Sequence, residues 1–189
     1  MYYLLVFIFL HQIIYGSLLK RGSDFVESFN SFYTPVEFLI TSLYIRTLLL
    51  SRFYKTFTLI SIFIYFTFWI PLFFFSGTQE NISYIRAFSY SLILIFSLFY
   101  YYEQIRHPKT FFVYMQKSFW IVSGFFLFAA GTFFIFLFDK FSDNVKGFFD
   151  QYVYIHALLF IVRNFLFSAA ILIKPETTTL NDENSVLLA

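Results

Sequence analysis

Residues 118–138 read SFWIVSGFFLFAAGTFFIFLF and contain no charged side chain. A hydrocarbon core of about 30 Å is crossed by roughly twenty apolar residues in a helix, so this stretch predicts a transmembrane helix. A lipid-exposed backbone has to satisfy its own hydrogen bonds, which favours helices throughout. The predicted fold is therefore an all-α polytopic bundle with six spans: residues 2–19, 35–51, 56–75, 84–102, 118–138 and 151–173.

The composition excludes several classes of protein. Of the 189 residues, 59% are hydrophobic and only 13% are charged, whereas charged residues make up about a quarter of soluble domains. The net charge of +2 is too small to indicate direct nucleic-acid binding, so the expected partner is the lipid bilayer. Cysteine is absent, which excludes disulfides and thiolate chemistry. The 33 Phe and 15 Tyr reflect AT-rich codon usage more readily than an aromatic ligand cage.

The spans predict one transmembrane domain, residues 1–174, followed by a short polar tail, residues 175–189, that we expect to be disordered. Six spans bring both termini to one side. Six basic residues share that side and four lie opposite, and cytoplasmic loops carry the excess of Lys and Arg. We therefore expect a multi-pass protein of the bacterial inner membrane with cytoplasmic termini. The two groups are Arg52, Lys55, Arg106, Lys109, Lys117 and Lys174, against Lys20, Arg21, Lys140 and Lys146.

The clearest local signal marks the start of the second predicted helix. Thr34-Pro35-Val36-Glu37 has the pattern of a capping box, with Thr34 as N-cap and Pro35 in the first helical position. Residues 22–31 would then form a polar loop. This helix start puts Glu37 about one turn below the non-cytoplasmic surface.

Ionisable residues within spans are costly and indicate functional sites. Glu37, Arg86 and His156 have similar predicted depths and would share an outward-facing pocket, with Arg86 keeping Glu37 ionised. The alternative is that each acts alone, with Glu37 completing its cap, Arg86 reaching the headgroups and His156 bonding a backbone carbonyl.

Arg163, with Asn164 beside it, is predicted to be too deep to reach either interface. Glu37 is the one acidic residue within a predicted span, and it is predicted to lie at the wrong depth. We therefore expect Arg163 to need a carbonyl, water, a bound anion or a partner's carboxylate. The predicted ligand-binding or partner-binding residues are Glu37, Arg86, His156, Arg163 and Asn164.

Small residues predict how the last two helices associate, since they let helices approach closely. Ser123, Gly124, Ala130 and Gly131 would form a groove on the fifth predicted span. A narrow stripe on the sixth would pack into that groove: Ala157, Ile161, Asn164 and Ser168.

The sequence does not predict catalysis. It contains no nucleophile elbow, no Gly-rich phosphate loop and no HExxH pattern, and its three histidines are far apart: His11, His107 and His156. We expect neither a cofactor nor a bound metal, and we interpret the chain as a non-enzyme.

Several short motifs form an ordered set along the chain: Tyr33-Thr34-Pro35-Val36-Glu37-Phe38, Phe119-Trp120 with Ser123-Gly124, Gly131, and His156 with Asn164. This set resembles a family of small polytopic inner-membrane proteins of Bacteroidetes with six to seven spans. The resemblance covers residues 30–173, and Arg163 is not part of its pattern. It implies a signalling accessory that acts beside a sensor kinase. The chain also resembles, in size and span number, the multi-spanning accessory proteins of type VI-B CRISPR systems.

These observations favour an integral membrane sensory or regulatory accessory protein that binds a ligand, a protein partner or a second copy of itself within the membrane. The alternative is a membrane accessory that modulates the nuclease of an RNA-targeting CRISPR defence system. A small channel or carrier is less favoured, because the Phe-rich helices do not predict a continuous polar path.

Overall fold

The structure, a computed structural model, describes residues 23–75, 79–108, 112–138 and 148–173. These ranges contain no β-strand, so this part of the chain is all-helical, as predicted. The first predicted span and the predicted tail lie outside the described residues. The helices are α1 (Ser23–Leu48), α2 (Arg52–Phe75), α3 (Gln79–Arg106), α4 (Lys117–Phe138) and α5 (Phe148–Leu172), with a short 3₁₀ helix (Val113–Met115) before α4.

Four of these helices, α2 to α5, are long and apolar enough to cross a membrane. Their most apolar windows have mean hydropathies between 1.3 and 2.0. Each boundary lies within a few residues of the predicted one, because the span ends coincide with charged or polar residues. The described chain is thus an α-helical membrane bundle.

The predicted start of α1 is wrong. The helix begins at Ser23, and Pro35 lies in its interior. Proline removes one backbone hydrogen bond from a helix, but such losses are tolerated in membrane helices, where neighbouring groups compensate. Phe25, Phe29 and Phe32 recur at helical spacing before the proline. This apolar periodicity outweighs the capping pattern, and Thr34 is a buried helical residue.

The helices alternate in direction, and α3 lies at the centre. It packs against α1, α2 and α4, while α5 packs mainly against α4. In the span windows, 44% of α3 and 39% of α4 are buried, against 22% of α2 and 17% of α5. The outer helices α2 and α5 therefore present most of their surface to the surroundings of the bundle.

Aromatic side chains fill the interior on the α1–α2–α3 side. Phe38 of α1 contacts Tyr65 of α2 with ring centroids 4.4 Å apart, and Phe96 of α3 lies 6.5 Å from Phe38. Offset ring pairs of this kind add stability beyond the burial of their area. Phe63 and Phe74 on the opposite face of α2 are more than 70% exposed, as expected for residues facing lipid tails.

Two tyrosine hydroxyls connect α3 to α4. Tyr100 donates to Ser118 Oγ at 3.0 Å, and Tyr101 donates to Ser123 Oγ at 2.8 Å. Ser123 therefore faces α3, not the groove for α5 in which the sequence analysis placed it. Hydroxyl bonds between helices satisfy both partners where water is absent.

Glycines allow α4 and α5 to approach closely. A Cβ atom at Gly124 would lie 2.8 Å from Phe167 Cε1, and one at Gly131 would lie 2.3 Å from Leu159 Cδ1. Both distances are shorter than real contacts, so only glycine fits this arrangement of neighbours. Ala130 is half-buried beside them.

The prediction that the stripe of Ala157, Ile161, Asn164 and Ser168 packs into this groove is wrong. Ala157, Ile161 and Ser168 are exposed, and Asn164 is half-buried. The packed face of α5 is displaced by about one residue, which is about 100° of rotation in a helix of 3.6 residues per turn. The aromatic rings of α5 gain more from burial than the narrow polar stripe, and the same rotation brings Arg163 to Glu37, whose charge offsets the cost of burying the guanidinium. That face consists of Phe160, Arg163, Phe167 and Ala170.

Candidate functional site

An ion pair inside the bundle joins α1 to α5. Arg163 Nη1 donates to Glu37 Oε1 at 2.5 Å, and the two side chains are 0% and 4% exposed. The expectation that Arg163 lacks a carboxylate in its own chain is wrong. In the described part of the chain Glu37 forms its ion pair with Arg163, whereas the sequence predicted Arg86 as its partner.

The position at which α1 begins explains why Glu37 was wrongly predicted to lie at a different depth from Arg163. At 1.5 Å per residue, Glu37 lies about 21 Å from Ser23, and Arg163 lies about 22 Å from Phe148. Because α1 and α5 run in the same direction, these equal distances bring the two residues to one level. A helix that began at Thr34 would have placed Glu37 more than two turns away from Arg163.

Aromatic rings surround the Arg163 guanidinium. Its Cζ lies 4.0 Å from the ring centroid of Phe128, 4.6 Å from that of Phe160 and 5.9 Å from that of Phe167. A guanidinium over a ring face gains cation–π attraction, which increases where water is excluded. The rings therefore hold the cation between α4 and α5 and orient it towards α1.

Part of the guanidinium is left unsatisfied. Among the described residues, neither Nε nor Nη2 of Arg163 has a hydrogen-bond partner, although both atoms are buried. A buried polar group without a partner costs about 1–3 kcal/mol, and more when it is charged. Arg163 thus keeps donor capacity for one further acceptor.

Other polar residues lie around the pair. The buried Tyr33 interacts electrostatically with Glu37, Arg163 and Tyr90. Tyr33 is one turn before Glu37 on α1, and Tyr90 belongs to α3. Polar groups of three helices thus converge on the same carboxylate and guanidinium, and we call this set the buried polar cluster: Tyr33, Glu37, Tyr90 and Arg163.

His156 lies at the edge of this cluster, about two helical turns before Arg163. It is half-buried, and its ring contacts Phe128 and Phe160 with centroids 5.6 Å and 4.8 Å away. It also interacts electrostatically with Arg163 and Arg86. His156 therefore contacts two of the rings that surround Arg163.

Arg86 of α3 is half-buried and lies near Tyr65 and His156. With Thr34 and Tyr65 it lines a cavity of about 10 Å³, which has room for about one water molecule. Of the three residues predicted to share a pocket, Arg86 lines this cavity, whereas Glu37 and His156 do not.

Asn164 is on the neighbouring face of α5, where its backbone carbonyl accepts a 2.9 Å hydrogen bond from the Ser168 hydroxyl.

Glu103 is a buried acidic residue that the sequence analysis missed. It lies on α3 near its end, and its carboxylate accepts hydrogen bonds from the backbone N–H groups of Leu50 at 2.6 Å and Ser51 at 2.8 Å. It thereby closes the turn between α1 and α2. No local pattern could have revealed the contact, because more than fifty residues separate the partners. Glu103 lies one residue beyond the predicted span of residues 84–102, so it was not counted among the acidic residues within the membrane.

Known proteins do not extend this description. No family model, curated protein or solved structure matches the chain. The resemblance to the Bacteroidetes family and to CRISPR accessories stays a prediction.

The cluster suits binding better than chemistry. Within the described part of the chain, no three His, Asp or Glu side chains lie together as metal ligands do. The cluster instead offers a carboxylate and a guanidinium that neutralise each other, plus unused N–H donors on Arg163. Such a group can exchange one anionic partner for another.

Proposed function

We propose that this is a non-catalytic regulatory protein of the bacterial inner membrane, which acts by binding a ligand or partner and changing how α5 packs against the rest of the bundle. The observation that supports it is the buried Glu37–Arg163 ion pair. The pair bridges the first and the last described helices, and one of its members is only partly satisfied.

Energetics support a switch at this contact. The attraction within a buried ion pair is largely offset by the cost of removing both charges from water, so its net contribution is small. An anionic group that bound Arg163 would satisfy its free N–H donors. The displaced Glu37 would have to gain a proton or reach water, because a buried charge without a partner is costly. Since both side chains of the pair are buried, such a group can enter only if the surrounding helices separate.

The position of α5 supports a partner in the membrane. This helix has the smallest buried share of the four spans, 17%, and Ile161 and Phe165 are about two-thirds exposed on its outer face. A change at Arg163 would rotate or shift that face directly. A partner helix packed against it would sense the change without any large cytoplasmic domain.

We further propose that the chain crosses the membrane six times with both termini in the cytoplasm. The basic residues Arg52, Lys55, Arg106 and Lys117 support this, because all belong to the end of the bundle at which α1 and α3 stop and α2 and α4 begin. Reporter fusions to each terminus test the orientation: an enzyme active only in the periplasm should be inactive at both ends. A reporter that is active at either end overturns it.

Distance measurements between α1 and α5 test the switch. The chain has no cysteine, so spin labels can be placed at Val36 and Phe165, both exposed, without background. We expect Glu37→Gln to broaden or shift the distance distribution relative to the unsubstituted pair. Arg46→Gln is the control, because it also removes one charge from α1, but at a half-buried residue outside the ion pair that donates to the Lys55 carbonyl.

Photocrosslinking in cells tests the partner. A photoreactive residue at Ile161 should give a defined adduct, either with a second copy or with another membrane protein, and Glu37→Gln should change its yield. An unchanged distance distribution in Glu37→Gln, together with the absence of any adduct at Ile161, would mean that the ion pair is a static contact and would overturn the proposal.

A further inference from the structure

A second polar site lies at the other end of α3, away from the buried polar cluster. The turn between α1 and α2 and the end of α3 enclose a cavity of about 360 Å³. This volume falls within the range of small-molecule sites, about 300–1,000 Å³. The lining residues are Leu50, Ser51, Tyr54, Tyr102, Glu103, Arg106 and His107.

The cavity lies where the apolar spans stop. The span of α2 begins at Arg52 and the span of α3 ends at Arg106, so its walls belong to the boundary between hydrocarbon and headgroups. Basic residues at span ends attract lipid phosphates. This location exposes the cavity to lipid headgroups and to soluble molecules alike.

The cavity contains both a fixed negative charge and a positive charge. Glu103 is 4% exposed and is held as an acceptor by two backbone N–H groups. A carboxylate has about four acceptor positions, so these two bonds leave capacity for a further donor. Arg106, one helical turn later, is exposed, and its Nη1 donates to the Tyr102 hydroxyl at 3.0 Å.

Aromatic rings complete the walls. The rings of Tyr54 and Tyr102 are nearly perpendicular, at 87°, with centroids 6.4 Å apart. Ring faces attract ammonium groups through their π electrons. The Arg106 guanidinium lies 5.7 Å from the Tyr102 centroid, which places the cation at the outer side of this pair.

We propose that this cavity binds a zwitterionic amine–phosphate group of the phosphoethanolamine type. The ammonium group donates to Glu103 beside the two tyrosine rings, and the phosphate binds Arg106. A simple anion would be repelled by Glu103, and a simple cation by Arg106. A quaternary ammonium would keep the attraction to the rings but has no N–H for the carboxylate, so ethanolamine is preferred to choline.

Binding to the purified full-length protein in detergent tests this site. The probes are short-chain phosphatidylethanolamine, phosphatidylcholine and phosphatidylglycerol, soluble phosphoethanolamine, and inorganic phosphate. We expect saturable binding of the ethanolamine lipid, weaker by about tenfold for the choline and glycerol lipids, because one charge-assisted hydrogen bond is lost. Soluble phosphoethanolamine that binds as tightly as the lipid identifies a soluble ligand, whereas binding of the lipid alone identifies a membrane lipid; either supports the site.

Variants make the test specific. Arg106→Gln should weaken binding about tenfold, whereas Arg52→Gln, an exposed cation at the same end that does not line the cavity, should bind as the unsubstituted protein does. Glu103→Gln should bind the ethanolamine and choline lipids equally well. If the Glu103→Gln protein does not fold, the effect of Arg106→Gln alone tests the site. The proposal is overturned if no ethanolamine probe binds, if phosphate or the glycerol lipid binds equally well, or if Arg106→Gln has no effect.

Discussion

Gly131 of α4 lies directly beneath Leu159 of α5, so close that a Cβ atom there would be 2.3 Å from Leu159 Cδ1 and 3.0 Å from its Cγ. The two helices therefore approach through a contact that only a missing side chain permits. This contact brings Arg163, one turn further along α5, within reach of α1.

Gly131→Ala should lower the free energy of unfolding in detergent by about 1–3 kcal/mol, as overpacking does in well-packed interiors. The double variant Gly131→Ala with Leu159→Ala should recover part of this loss, because the truncated leucine leaves room for the new methyl group. Unfolding monitored by tryptophan fluorescence measures both. If the double variant loses as much unfolding free energy as the two single variants together, Gly131 and Leu159 are not in contact.

Glu37→Gln should destabilise the protein by about 3–5 kcal/mol, because the Arg163 charge would then be buried without its counter-charge. Replacing both residues, Glu37→Leu with Arg163→Leu, should restore most of that loss, since apolar replacements of a buried pair are often neutral. Denaturant titration in detergent compares the three proteins. If Glu37→Gln alone proves as stable as the unsubstituted protein, the pair is not closed in solution.

Glu103→Gln should loosen the turn between α1 and α2. A neutral amide has one acceptor oxygen where the carboxylate has two, so one of the N–H groups of Leu50 and Ser51 loses its partner. Hydrogen exchange at these two amides should become faster by about tenfold or more, in line with the loss of about 1–3 kcal/mol for one charge-assisted bond. Exchange at Thr58, further along α2, serves as the internal reference and should not change.

Tyr101→Phe should cost about 0.5–1.5 kcal/mol of unfolding free energy, because the hydroxyl that donates to Ser123 is removed. Tyr154→Phe is the matched control, since Tyr154 is 75% exposed on α5 and should tolerate the change within about 0.5 kcal/mol. Equal effects of the two substitutions would show that the bond between α3 and α4 contributes nothing.

Four of the six predicted spans are confirmed, because hydropathy depends on each segment alone; the predicted span of residues 35–51 is not among the candidate spans, and residues 2–19 lie outside the described part of the chain. The boundaries of α2 to α5 follow from runs of Phe, Leu and Ile that end at charged residues. The glycines of α4 were equally informative: Gly124 and Gly131 both lie against α5. The rotation of α5 about its axis could not be predicted in the same way, because a stripe of small residues determines it less strongly than a cation with aromatic neighbours does.

The candidate site depended on one local decision that sequence reasoning got wrong. Glu37, Arg163 and His156 were all recognised as costly residues in the membrane, but their pairing requires the depth of each. Pro35 moved the predicted start of α1 by eleven residues, from Ser23 to Thr34. Glu103 could not be paired at all, since its partners are backbone groups of a distant turn and have no side-chain signature.

The order of synthesis gives the Glu37–Arg163 contact a further consequence. The ribosome delivers Glu37 to the membrane 126 residues before its counter-charge, so α1 to α4 have to associate around a carboxylate that has no guanidinium. Only the arrival of α5 neutralises it. Any nascent or truncated chain that ends before Arg163 therefore keeps a carboxylate without this guanidinium among its apolar helices.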